Sequence, residues 1–93
     1  MGTRKDIDEV IQEVRRRLPG VKCEQLKTKH PLDDRGLWFF DLPETKRTVQ
    51  VQSWNGMCPF LIEGDDASHR GKSDDIRETV ELVVIWLGGQ QQP

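Results

Sequence analysis

The chain has 93 residues, which suits one domain and leaves no room for two. Apolar residues make up 34% and charged residues 32%, so the core must be compact and any large apolar side chain left outside it is informative. With 14 Lys and Arg against 16 Asp and Glu, the net charge of −2 offers no general attraction to nucleic acid and no polybasic membrane anchor.

No apolar run approaches the ~20 residues that span a bilayer. The first residues are charged from Arg4 onward, so a signal peptide is not expected. The expected location is cytoplasmic, with neither membrane nor nucleic acid as partner. Cys23 and Cys58 form no C-x-x-C pair and have no histidine at metal-ligand spacing. They are expected as reduced thiols, with no cofactor and no metal.

Ile7, Val10, Ile11, Val14 and Leu18 recur at helical spacing and predict a helix over residues 4–18. Thr3 is the expected N-cap, with Asp6 as the acid of a capping box. Asp6, Asp8 and Glu9 suit the first turns, and the run Arg15, Arg16, Arg17 complements the negative end of the dipole. Pro19 and Gly20 stop the helix.

Residues 21–26 alternate weakly and mark a possible extra strand. Residues 27–36, with Pro31, Asp33, Asp34 and Gly36, read as a loop. Three clearer strands follow. Residues 37–42 are aromatic and end at Pro43. Residues 47–54 alternate, with Val49 and Val51 on one face and Thr48, Gln50, Gln52 and Trp54 on the other; Asn55 and Gly56 then signal a turn. Residues 59–63 are a short apolar run.

Residues 64–72 are polar and predict an exposed loop. Ser73 or Asp74 then caps a second helix whose inner stripe is Ile76, Val80, Val83, Val84 and Leu87, widened by Leu82, Ile85 and Trp86. Gly88 and Gly89 end it, and residues 90–93 are expected to be a disordered tail after a single domain over residues 1–89. The order α-β-β-β-α, with antiparallel neighbours and both helices on one face, predicts an α+β two-layer sandwich.

Chemical motifs are few. Gly71, Lys72 and Ser73 imitate the end of a phosphate-binding loop, but the glycine required five residues earlier is Asp66, so a helix start with an N-cap serine is the better reading. A calcium loop beginning at Asp66 fails because Arg70 and Arg77 would occupy two ligand positions. Cys58 follows a turn and is a candidate thiol nucleophile; His30 and His69 are candidate bases. Nothing local marks any of them as activated.

The pairs Asp33 with Asp34 and Asp65 with Asp66 lack an evident local role, unlike Asp74 and Asp75 at a helix start. Brought to one end of the sheet, they would steer a basic protein partner; singly, each reads as solubilising charge. The strands also carry an aromatic surplus. A sheet covered on one side needs apolar residues only on that side, so Trp38 and Phe40 with Trp54 are the set expected on the open face, as interaction anchors. A covering helix, N-terminal segment or dimer mate is the equal alternative for those rings.

The segments Gly36-Leu37-Trp38-Phe39-Phe40-Asp41-Leu42-Pro43, Val49-Gln50-Val51 and Gly56-Met57-Cys58-Pro59-Phe60-Leu61-Ile62-Glu63, with the helix end near Trp86 and Leu87, resemble small bacterial proteins of the TriTu immunity type. The resemblance covers roughly residues 36–87 and brings no catalytic residues. It implies a bacterial cytosolic protein that binds and neutralises a toxin. The expected function is therefore a non-catalytic protein-binding module, monomeric or weakly dimeric. The alternatives are a small ligand-binding domain or enzyme using Cys58 or His69, and a structural homo-oligomer pairing its aromatic face.

Overall fold

The computed structural model describes residues 5–26, 36–53, 56–65 and 68–88. Within them the order is α1 (Asp6–Arg17), β1 (Lys22–Gln25), β2 (Gly36–Leu42), β3 (Arg47–Ser53), β4 (Phe60–Glu63), β5 (Arg70–Ser73) and α2 (Ile76–Trp86). The five strands form one antiparallel meander in chain order, and the fold is α+β.

Each helix buries one stripe. Ile7, Val10 and Val14 of α1 and Val80, Val83, Val84 and Leu87 from the α2 segment enter one core with the inward residues of the sheet. Those inward residues are Trp38, Phe40 and Leu42 on β2, Val49 and Val51 on β3, and Phe60 and Ile62 on β4. Their alternation is the period of two that a half-covered sheet requires. An ion pair between Arg17 and Glu81, at 2.6 Å, links the two helices and draws the Glu81 carboxyl below its ordinary value. The arginine run of α1 thus serves helix pairing as well as the dipole.

The start of α1 differs from the sequence expectation. Lys5 is the N-cap residue, and its N–H donates to the Asp8 carboxylate. Asp6 accepts instead from the backbone N–H of Cys58 (2.9 Å), while the Ile7 N–H donates to the Gly56 carbonyl (2.8 Å). A first-turn N–H, which has no partner inside a helix, is thereby satisfied by the connection between β3 and β4. Gly56 has φ +85°, and a Cβ there would press on Lys5 and Ile7, so the docking of α1 depends on glycine at that position. Ser53 completes the turn: its hydroxyl accepts from the Gly56 N–H and donates to the Met57 carbonyl.

The end of α2 is closed from the sheet. In the turn over residues 43–46 the Thr45 hydroxyl lies 2.7 Å from the Leu87 carbonyl and donates to it. At the other end Asp75, not Ser73 or Asp74, is the N-cap, accepting from the Arg77 N–H. Ser73 stands two residues before that cap. Its hydroxyl accepts from the Asp75 N–H and reaches Glu78 at 2.9 Å, tying β5 to α2.

The region expected as an exposed loop over residues 64–72 holds all of β5 but its last residue, Ser73. That strand is short and polar. Its inward positions are Gly71 and the buried Ser73, and Leu82 and Trp86 of α2 lie over the glycine. Strand character there comes from pairing with β4 and from cover by α2, neither of which leaves an apolar pattern in the chain. The possible strand at residues 21–26 is present as β1. Thr3, His30, Asp33, Asp34, Trp54, Asp66 and residues 90–93 lie outside the described residues.

Candidate interaction face

The sheet has a second face that neither helix covers. Cross-strand pairing aligns Leu26, Leu37, Gln52, Leu61 and Lys72 in one row, since Leu26 donates its N–H to the Leu37 carbonyl. A second row holds Glu24, Phe39, Gln50, Glu63 and Arg70, and a third Lys22, Asp41 and Thr48. Residues paired in this way project to the same side of the sheet.

Four of these side chains are large and apolar. Leu61 is 49% exposed and Leu26 40%, while Leu37 and Phe39 are half-buried by their neighbours. Leu61, Leu37, Gln50, Gln52, Glu63, Arg70 and Lys72 rim a shallow depression on this face. Glu63 accepts from Arg70 through Nη2 at 2.8 Å and Nε at 3.1 Å, and Gln50 lies 3.3 Å from the same carboxylate. Such exposed pairs add only about 0–1 kcal/mol each, so they organise the surface more than they stabilise the chain.

This face is not the one expected from the sequence. Trp38 is 7% exposed and Phe40 0%; both point into the helix-covered core and neither can anchor a partner. The reason is register. The turn over residues 43–46 pairs Phe40 with Val49 and Trp38 with Val51, and both valines are buried. Leu37 and Phe39 therefore take the open side, although sequence reading passed them over. The signal that would have found them was already in the chain: Val49 and Val51 mark the inner face of β3, and the short turn fixes which residues of β2 lie opposite.

Of the two acidic pairs weighed as a steering patch, only Asp65 lies among the described residues. Asp65 accepts the Thr48 backbone N–H at 2.9 Å, continuing the β3 ladder beyond the end of β4, so it has the local role that its sequence context did not show. It lies at the opposite end of β5 from Asp74 and Asp75. Asp65 and those two residues cannot make one steering patch.

The thiol and imidazole of the catalytic alternative are also apart. Cys58 precedes β4 and packs against the core beside the start of α1. His69 sits at the far end of that strand, stacked on Trp86 with centroids 5.1 Å apart and planes 7° from parallel. Among the described residues no cluster of histidine, cysteine and carboxylate side chains could hold a metal ion. Both cysteines are free. Burial pushes the Cys58 thiol up to about 11, helped by its hydrogen bond to Asp6 and by the nearby carboxylates of Asp6, Asp74 and Asp75. Burial also pushes the Cys23 thiol up to about 11, with Arg15 pulling weakly the other way.

Because the folded chain holds these protons more firmly than the unfolded chain, stability contributed by the neutral thiols is intact below the ordinary thiol pKa. It is lost as pH rises through about 11. At pH 8 each thiol is expected to react roughly 100-fold more slowly with an aromatic disulfide reagent in the native protein than in urea. A native thiol reacting at the unfolded rate would refute this and restore Cys58 as a nucleophile.

No helix among the described residues is long and apolar enough to cross a membrane. The fold and surface define an α+β two-layer sandwich with one sheet face left free of helices. Comparison with protein-family models, curated proteins and solved structures found no match for this chain.

Proposed function

We propose that this chain is a non-catalytic protein-binding module that docks through the helix-free sheet face. The carrying observation is the apolar strip of Leu26, Leu37, Phe39 and Leu61, retained on a surface where a chain with only 34% apolar residues had little reason to leave it. The partner that fits is a folded protein with an apolar centre to cover the strip and a carboxylate to meet Lys72 at its margin. Gln52 between Leu37 and Leu61, and Gln50 beside Phe39, supply side-chain donors and acceptors without a net charge to desolvate.

The resemblance of residues 36–87 to immunity proteins supplies the most concrete occupant, a bacterial toxin domain neutralised by stoichiometric binding in the cytoplasm. The two free cysteines agree with a reducing compartment. On this reading the chain is monomeric or weakly dimeric until the toxin arrives, and it needs no cofactor.

The test uses a toxin domain encoded next to this chain. The wild-type protein is expected to form a one-to-one complex with it. Phe39→Asp and Leu61→Asp each place a charge at the centre of the contact and are expected to weaken binding about 30-fold or more while leaving the far-ultraviolet circular dichroism unchanged. Undiminished binding by both variants, or a gene neighbourhood without a toxin, would overturn the proposal.

A further inference from the structure

The outer edge of β5, which pairs with no further strand among the described residues, has features that the open face alone does not explain. β5 is the last strand of the sheet. The Gly64 N–H donates to the His69 carbonyl at 2.8 Å, which fixes the alternation of hydrogen-bonded pairs along β4 and β5. By that alternation Gly71 and Ser73 face β4, and the backbone N–H and C=O of Arg70 and Lys72 face outward. Two residues' worth of strand pairing is thus presented at the edge.

The two sides of that edge differ in chemistry. On the open face stand the side chains of Arg70 and Lys72; Arg70 is shared with Glu63. On the helix side β5 offers only the small residues Gly71 and Ser73, so α2 overhangs it. Leu82 and Trp86 each come within 3.5 Å of where a Gly71 Cβ would be. Both remain half-buried, and Ile85, three residues beyond Leu82 on the same flank, is 41% exposed. A strand added at this edge would find apolar cover on one side and cations on the other.

Charge decides what that strand is. A second copy of β5 laid antiparallel against the first would set Arg70 and Lys72 against their own counterparts, and like charges opposed across strands are unfavourable. A segment alternating acidic and apolar residues meets both sides with complementary groups. We infer that the β5 edge takes up an extended segment of a protein partner by strand addition, with its acidic residues beside Arg70 and Lys72 and its apolar residues under Leu82, Ile85 and Trp86. This rests on the protein-binding reading and names the element of the partner that is gripped. The added strand would also widen the open face beyond Lys72.

The probe is a capped synthetic peptide of about seven residues alternating glutamate and valine, with a lysine–valine peptide of equal length as control. At about 1 mM, the glutamate peptide is expected to slow amide hydrogen exchange at Arg70 and Lys72 at least 10-fold, and the lysine peptide is expected to leave it unchanged. The double variant Arg70→Glu with Lys72→Glu, folded by circular dichroism, is expected to lose the protection. A glutamate peptide methylated on alternate backbone nitrogens should not bind, because strand addition needs those donors. Absence of slowing with the glutamate peptide, equal slowing with the lysine peptide, or full protection in the double variant would overturn the inference. Phe39→Asp separates the two readings: it is expected to bind the peptide normally even where it has lost the toxin domain.

Discussion

Phe40→Ala is expected to destabilise the protein by about 3–5 kcal/mol, and Phe39→Ala, one residue earlier, by no more than about 1 kcal/mol. Phe40 is wholly buried among the inward residues of the sheet and both helices, so its removal leaves a cavity that the surrounding elements cannot fill. Phe39 lies half-exposed on the open face, and its loss removes only cross-strand contact with Glu24 and Gln50. Against a total stability of about 5–15 kcal/mol, the first change removes about a fifth or more of the folding free energy. The melting temperature should fall by roughly 15–30 °C for Phe40→Ala and by less than about 8 °C for Phe39→Ala, which differential scanning calorimetry would resolve. The contrast reads strand parity directly, because a slip of one residue exchanges the two faces. Equal losses at the two positions would show that β2 is not registered as described. The same experiment bears on function, since Phe39 can serve as a docking residue only if the fold does not depend on it.

Gly36→Ala should cost about 2–3 kcal/mol, although it adds a single methyl group. A Cβ at Gly36 would collide with the carbonyl oxygen of Ser53, the residue paired with it across β2 and β3, and would press on the ring of Trp38. The obstacle is largely backbone, so relief requires the strand pair itself to part. Ser53 is also the residue whose hydroxyl holds the connection against which α1 docks. The strain would therefore reach the start of α1. Gly71→Ala is the matched control, because its added methyl meets Leu82 and Trp86 at ordinary contact distance, 3.5 Å. It is expected to change stability by no more than about 0.5 kcal/mol. Urea titration would show the midpoint for Gly36→Ala lowered by roughly 1–2 M at unchanged slope, with Gly71→Ala close to wild type. Similar midpoints for the two variants would refute the close approach of Gly36 to β3.

Both predictions bear on one property of the molecule. A chain with 32% charged residues must still fill a two-layer core. It does so with the inward residues of three strands and two helices, leaving β1 and β5 as short polar edges. An economical core of this kind makes the outward Leu26, Leu37, Phe39 and Leu61 conspicuous. The charged side chains of β5 then have two effects. They discourage the edge from pairing with itself, and they leave it suited to an acidic strand.

The local pattern of the chain by itself determined the two helices, the strands β2, β3 and β4, the possibility of β1, and the α+β class. These follow from apolar spacing at periods of 3.6 and 2 and from Pro and Gly at the stops, all of which act over a few residues. Only the tertiary structure decided the rest. It made a strand of the polar residues Arg70–Ser73, because pairing with β4 and cover from α2 replace any apolar signal in that segment. It reassigned Asp6 to the Cys58 N–H and Asp65 to the Thr48 N–H, contacts across 52 and 17 residues that no local pattern encodes. It turned Trp38 and Phe40 inward and Leu37 and Phe39 outward, because a strand rich in apolar residues on both sides carries no parity of its own and takes its register from the partner strand.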